Sequence, residues 1–130
     1  MAIRERPTSP HLQVYRWQIQ MATSILHRAT GVILSGGALV IAVSLLLLML
    51  GEDHWNCLTQ QLGAWYGQLF LFAWSWAFTY HLANGIRHIV QDFGHGFSIA
   101  AFIRSSWTSV IASLVLTAAI WAYVLTGVSA

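Results

Sequence analysis

The chain has 130 residues, of which 57% are hydrophobic and only 8% charged, with a mean hydropathy of +0.62. Soluble domains carry about 25% charged residues, so this composition excludes an ordinary soluble domain and predicts an all-α integral membrane protein. The formal net charge of +2 comes from arginines gathered at the ends of apolar segments, which reads as membrane topology and gives no reason to expect nucleic acid as a partner.

Residues 1–22 form a polar entry segment. Arg6-Pro-Thr-Ser-Pro10 cannot be regular helix, because two prolines remove backbone donors and restrict the residues before them. His11 to Gln20 mixes aromatic, basic and amide side chains. That suits a strip at the lipid headgroups held by Tyr15 and Trp17, and less strongly a docking surface for a cytoplasmic partner. A secretory signal is not expected, since this polar stretch precedes a full-length span.

Three apolar spans follow, at about 28–50, 65–89 and 107–127. Each has about the 20 residues that cross a hydrocarbon core as an α-helix. The first loop, Gly51 to Gly63, carries Glu52 and Asp53 and no basic residue, whereas Arg4, Arg6, Arg16 and Arg28 precede or open the first span and Arg87 and Arg104 flank the second loop. Arginine bias therefore places the N-terminus and second loop in the cytoplasm, and the first loop and C-terminus outside. Trp17, Trp65, Tyr66, Trp107, Trp121 and Tyr123 fall near span ends, as an aromatic belt requires. The single cysteine, Cys57, is expected to be an incidental thiol of the outer loop.

Polar residues inside the spans are the candidates for function. At the entry to the first span, Ser24, His27 and Arg28 stand at i, i+3 and i+4 and share a helix face. Arg28 either snorkels to lipid phosphate or offers its fixed donors to a carboxylate or polarised carbonyl. In the second span, His81 lies about two turns deep in an apolar stretch, where an imidazole is expensive and marks a site by default. His88 is seven residues on, the same face about 10.5 Å away along the axis, a span comparable to that from a haem iron to its propionates. Gly85, one turn from His81, leaves room for a flat macrocycle or a neighbouring helix. The competing reading of His81 is a hydrogen bond across helices, for example to an Asn84 of a neighbour.

An electron-transferring haem takes two axial ligands. His11, His27, His88 and His95 are placed on the cytoplasmic side and His54 in the outer loop, so no other histidine is expected at His81's depth. The second ligand is then expected from another polypeptide or a second copy, with three helices forming half of a bundle. Asp92 most simply pairs with Arg87 or Arg104.

The runs Arg6-Pro-Thr-Ser-Pro-His-Leu12, Ser24-Ile-Leu-His27-Arg28-Ala-Thr30 and His81-Leu-Ala-Asn-Gly-Ile-Arg-His88-Ile, ending at Asp92, resemble the cytochrome b anchor subunits of succinate dehydrogenases. Gln91 departs from that pattern, standing where an aromatic or methionine is usual. The resemblance implies His81 as an axial ligand of haem b, with the other ligand from a second three-helix anchor subunit. It implies Ser24 and Arg28 at a ubiquinone site, and His27 and His88 near the haem propionates. It further implies a flavoprotein that oxidises succinate and an iron–sulfur subunit that passes electrons to the quinone, in a bacterial inner membrane. An anchor of a quinol:fumarate reductase, or a haem-free tether for a cytoplasmic complex, are the alternatives.

Overall fold

The computed structural model describes residues 16–127, and every regular element among them is helical. The proline segment, His11 and the first part of the proposed interfacial strip lie outside the described residues. Four helices follow in order: α1 (Ile19–Leu50), α2 (Glu52–Gly63), α3 (Trp65–Asp92) and α4 (Ile99–Gly127). α1 starts well before the expected span at 28, so residues 19–22 of the expected interfacial segment are already helix.

The connection between the first two spans is itself a helix. Gly51, at φ +123°, makes the turn into α2 with a backbone conformation that side chains disfavour. Glu52 and Asp53 occupy the first turn of α2, where their charge complements the helix dipole. Trp55, Leu58 and Leu62 lie at i, i+3 and i+7 and are half-buried, while the rest of α2 is largely exposed.

α3 is the hub, packed against α1 on one side and α4 on the other. The interior is inverted relative to a soluble protein. Among the described residues the fully buried apolar side chains are only Ala77 and Tyr80, whereas Thr23, Thr30, Thr79, Asn84, Arg87, Ser106, Ser109, Ser113 and Thr117 are buried and polar. Leucines, isoleucines and valines of α1 and α4 face outward instead. Hydrocarbon solvates them as well as a core would, so helices associate through small residues and hydrogen bonds. Hydroxyls serve this at the α3–α4 seam, where Thr79 Oγ1 lies 2.7 Å from Thr117 Oγ1 and donates to the Ser113 carbonyl at 3.2 Å. At the α1–α3 seam, Gly37 lies under Trp74, and a β-carbon there would come within 2.2 Å of the indole nitrogen.

By length and apolarity alone, α1 and α4 qualify as membrane-crossing helices. α3 has 28 residues, about 42 Å, but carries Gln68, Ser75, His81, Asn84, Arg87 and His88. Trp121 departs from the expected belt: it is half-buried and donates its indole N–H to Ser75 Oγ at 2.8 Å. Trp17, Trp65, Tyr66, Trp107 and Tyr123 are exposed.

Candidate functional site

The start of α1, the end of α3 and the start of α4 meet at one end of the bundle. Tyr80, 0% exposed, donates its hydroxyl to the Thr23 carbonyl at 2.9 Å and thereby sets the register of α3 against α1. With that register, residues 27–31 of α1 face His81, Gly85 and His88 of α3.

His81 is held through one ring nitrogen. Its Nδ1 lies 3.1 Å from the His27 carbonyl oxygen and 3.2 Å from Thr30 Oγ1. A carbonyl oxygen can only accept, so Nδ1 carries the proton and donates it. Thr30 is free to accept as well, because its own hydroxyl proton is directed at the carbonyls of Leu26 (2.8 Å) and His27 (3.0 Å). The tautomer follows: Nε2 is the unprotonated nitrogen, its lone pair available to a metal. Metal-ligating histidines are typically oriented by such a bond from the other nitrogen. Gly31 makes room for the ring, since a β-carbon there would stand 3.1 Å from His81 Cε1.

His27 and His88 join the same cluster. The His27 ring stacks on His81 with centroids 3.9 Å apart and planes within 13°, and lies 5.1 Å from His88 at a 50° tilt. His27 Nδ1 is buried without a hydrogen-bond partner among the described residues. This corrects the expected depths, because His27 does lie level with His81. α1 is already helical from Ile19, which brings His27 more than two turns into the helix. Stacked and near-parallel, the His27 and His81 rings do not present their nitrogens to one common centre. No group of three His, Cys, Asp or Glu side chains among the described residues converges as a metal site.

Ser24 is half-buried one turn before Arg28, and Arg28 is exposed at the same helix end. Neither makes a hydrogen bond or ring contact with the histidine cluster, and the structure joins them to it only through their shared helix.

Other expected partners differ. Arg87 turns away from the histidines, 7% exposed, into the α3–α4 seam. Its Nε donates to Ser105 Oγ at 3.0 Å and its Nη1 to Asn84 Oδ1 at 3.2 Å, with the Phe102 ring 4.5 Å below. Asp92 is exposed and pairs with neither Arg87 nor Arg104 among the described residues, since Arg87 is already engaged within the bundle. Asn84 serves Arg87 and does not reach His81. Gly85 is less crowded than expected, a β-carbon there meeting only His27 Cε1 at 3.8 Å. The close approach falls instead at Gly31. Thr30 and Gly31, at i+3 and i+4 from His27, could have been found from their shared face with it.

Residues 2–120 match the model of a family described as the succinate dehydrogenase/fumarate reductase transmembrane subunit. The chain belongs to that family. It is 45% identical over 119 residues to the succinate dehydrogenase cytochrome b556 subunit of Rickettsia felis, covering 90% of this chain and 91% of that one. It is 37% identical over 111 residues to the b556 subunit of Paracoccus denitrificans, covering 85% of each. The mitochondrial cytochrome b560 subunit of Mus musculus is 36% identical over 113 residues, covering 85% of this chain and 64% of that one. The family is transmembrane, which agrees with the outward-facing aliphatic surfaces of α1 and α4, and the chain is a membrane protein.

Proposed function

We propose that this chain is the haem-binding membrane anchor of a succinate:quinone oxidoreductase, with His81 supplying one axial ligand to a haem b. The observation that carries this reading is the bond from His81 Nδ1 to the His27 carbonyl, which leaves Nε2 as a lone-pair donor. His27, stacked on His81, and His88, tilted against His27, are the groups assigned to the propionates. Bound there, haem supplies a one-electron store whose potential the pocket tunes. The second ligand comes from another three-helix subunit, because among the described residues no other histidine is oriented to share a metal with His81.

Quinone reduction takes two electrons and two protons into a lipid-soluble molecule. Ser24 and Arg28 lie at the end of the bundle where water and lipid meet, with Arg28 exposed. Ser24 hydrogen-bonds one quinone carbonyl, and Arg28 stabilises the negative charge that builds on its oxygen as electrons arrive. Those electrons come from an iron–sulfur subunit fed by a succinate-oxidising flavoprotein, so the chain does not turn over alone.

α3 crosses the membrane with α1 and α4 in this reading. Its polar Thr79, Asn84 and Arg87 are turned inward, while Leu69, Phe70, Phe78, Leu82, Ile86 and Ile89 face out. Arg16, Arg28, Arg87 and Arg104 gather at one end of the bundle and Glu52 and Asp53 at the other, an asymmetry that supports a cytoplasmic arginine end. The test is purification of the chain with its accompanying subunits from a bacterial inner membrane, followed by a reduced-minus-oxidised optical spectrum. A b-type band together with flavin and iron–sulfur subunits is expected. A complex without haem absorption would favour the tether, and one that only reduces fumarate with quinol would favour the reverse enzyme.

A further inference from the structure

A second polar cluster lies on the side of α3 that faces α4, turned from the histidines. Between α3 and α4 runs a cavity of about 420 Å³ whose exposed surface is mostly apolar, with Leu82 and Ile86 on one side and Ala112 and Leu116 on the other. At its arginine-bearing end the lining becomes polar, with Arg87 and Gln91. Their chemistry is one-sided. Arg87 Nη2, Gln91 Nε2 and the neighbouring Asn84 Nδ2 are all buried, all donors, and all without a hydrogen-bond partner among the described residues.

A buried donor without an acceptor is costly, and a buried guanidinium without a counter-charge more so. Arg87 keeps its charge, yet the groups it touches, Ser105, Asn84 and the Phe102 ring, are all neutral. None of the residues lining the cavity is acidic. The missing partner must therefore bring a negative charge and acceptor oxygens. It must also bring an apolar chain, because the surface the slot exposes is mostly apolar, despite Ser105, Thr108 and Ser109 along the α4 side, and it opens onto the lipid-facing side chains of Leu82 and Ile86.

We propose that this slot is a binding site for an anionic phospholipid, its phosphate accepting from Arg87 and Gln91 and one acyl chain lying between α3 and α4. A quinone matches the shape but is neutral and leaves the guanidinium uncompensated. A zwitterionic lipid compensates it less well, because the phosphate is accompanied by its own cation. The arginine-bearing end of the bundle is also the end that faces the anionic leaflet in a positive-inside protein.

The test uses the full chain with its accompanying subunits, exchanged into detergent and repeatedly washed. Bound phospholipid is then identified by mass spectrometry. Wild type should retain about one phosphatidylglycerol per chain. Arg87→Gln should lose it several-fold, and Arg87→Lys should keep most of it. Ala112→Phe fills the acyl slot without touching Arg87, and it should lose the lipid as fully as Arg87→Gln while still folding. Dioleoylphosphatidylglycerol added to washed wild type should raise its thermal midpoint more than dioleoylphosphatidylcholine does, and the two should be equal for Ala112→Phe. Equal retention by wild type and Ala112→Phe, equal stabilisation by the two lipids, or recovery of quinone in place of phospholipid would each overturn the proposal. The haem spectrum is a separate readout, so this site and the His81 assignment fail independently.

Discussion

The His27 ring lies flat against His81, centroids 3.9 Å apart, while the His27 backbone carbonyl accepts the His81 Nδ1 proton at 3.1 Å. One residue of α1 thus fixes both the face and the tautomer of an imidazole on α3. The side chain of His27 can be changed without losing the hydrogen bond, because the acceptor is backbone. His27→Ala is expected to preserve the b-type band and alter its midpoint potential, whereas His81→Ala abolishes the band. A reduced-minus-oxidised spectrum of each variant separates the roles, and an unchanged spectrum in His81→Ala removes His81 as ligand.

Thr30 shares the Nδ1 proton through its hydroxyl at 3.2 Å. Thr30→Val keeps the shape and removes the acceptor, leaving the His27 carbonyl to hold the ring. The expected cost is about 1 kcal/mol of stability, with weaker haem retention on dilution. Thr30→Ser should restore both. If Thr30→Val retains haem as wild type does, the hydroxyl contributes packing only.

Two glycines of the site should respond differently to alanine. At Gly31 the new methyl would stand 3.1 Å from His81 Cε1, so the ring must shift by a few tenths of an ångström, and overpacking of this kind costs about 1–3 kcal/mol. At Gly85 the methyl finds an ordinary 3.8 Å contact with His27, and the helix gains from replacing glycine. Gly31→Ala should displace the haem potential and lower the thermal midpoint. Gly85→Ala should leave both near wild type. A redox titration of the two variants is decisive, and the reverse order would contradict the packing described above.

Arg28 is exposed and makes no hydrogen bond or ion pair among the described residues, so its removal leaves no internal acceptor unpaired. Arg28→Ala is expected to fold and assemble. Losing a charged hydrogen bond to the quinone, worth about 1.5–3 kcal/mol, should slow quinone reduction by roughly tenfold to a hundredfold. Succinate oxidation by an artificial acceptor should persist. If both activities fall equally in assembled enzyme, Arg28 serves assembly and not the quinone.

Much of the fold was legible in the apolar runs, since length and hydropathy alone place α1 and α4. The helical connection α2 was less so. Its mixed polar sequence reads as loop until Trp55, Leu58 and Leu62 are seen at helical spacing. The aromatic belt also misled at Trp121, because an amphipathic ring at a span end can equally turn inward when a hydroxyl such as Ser75 is in reach.

The site divides in the same way. His81, His88 and the Ser24–Arg28 pair stood out because polar groups in hydrocarbon are expensive, and that holds whatever the packing. Gly31 and Thr30 did not, because small and hydroxylated residues are common in such helices, and only the face they share with His27 hints at them.

Sequence by itself determined that this chain is helical and membrane-embedded, that its arginines sit at one set of helix ends, and that His81 is a costly polar group within an apolar run. Hydrophobicity and charge act residue by residue, so these can be read along a line. Tertiary structure alone decided which histidine meets which, which nitrogen of His81 carries the proton, and that Arg87 turns from the histidines into the α3–α4 seam. Those outcomes depend on the register between helices, set by contacts such as Tyr80 to Thr23 and Trp74 over Gly37. A shift of one turn, about 5.4 Å, would replace every one of them.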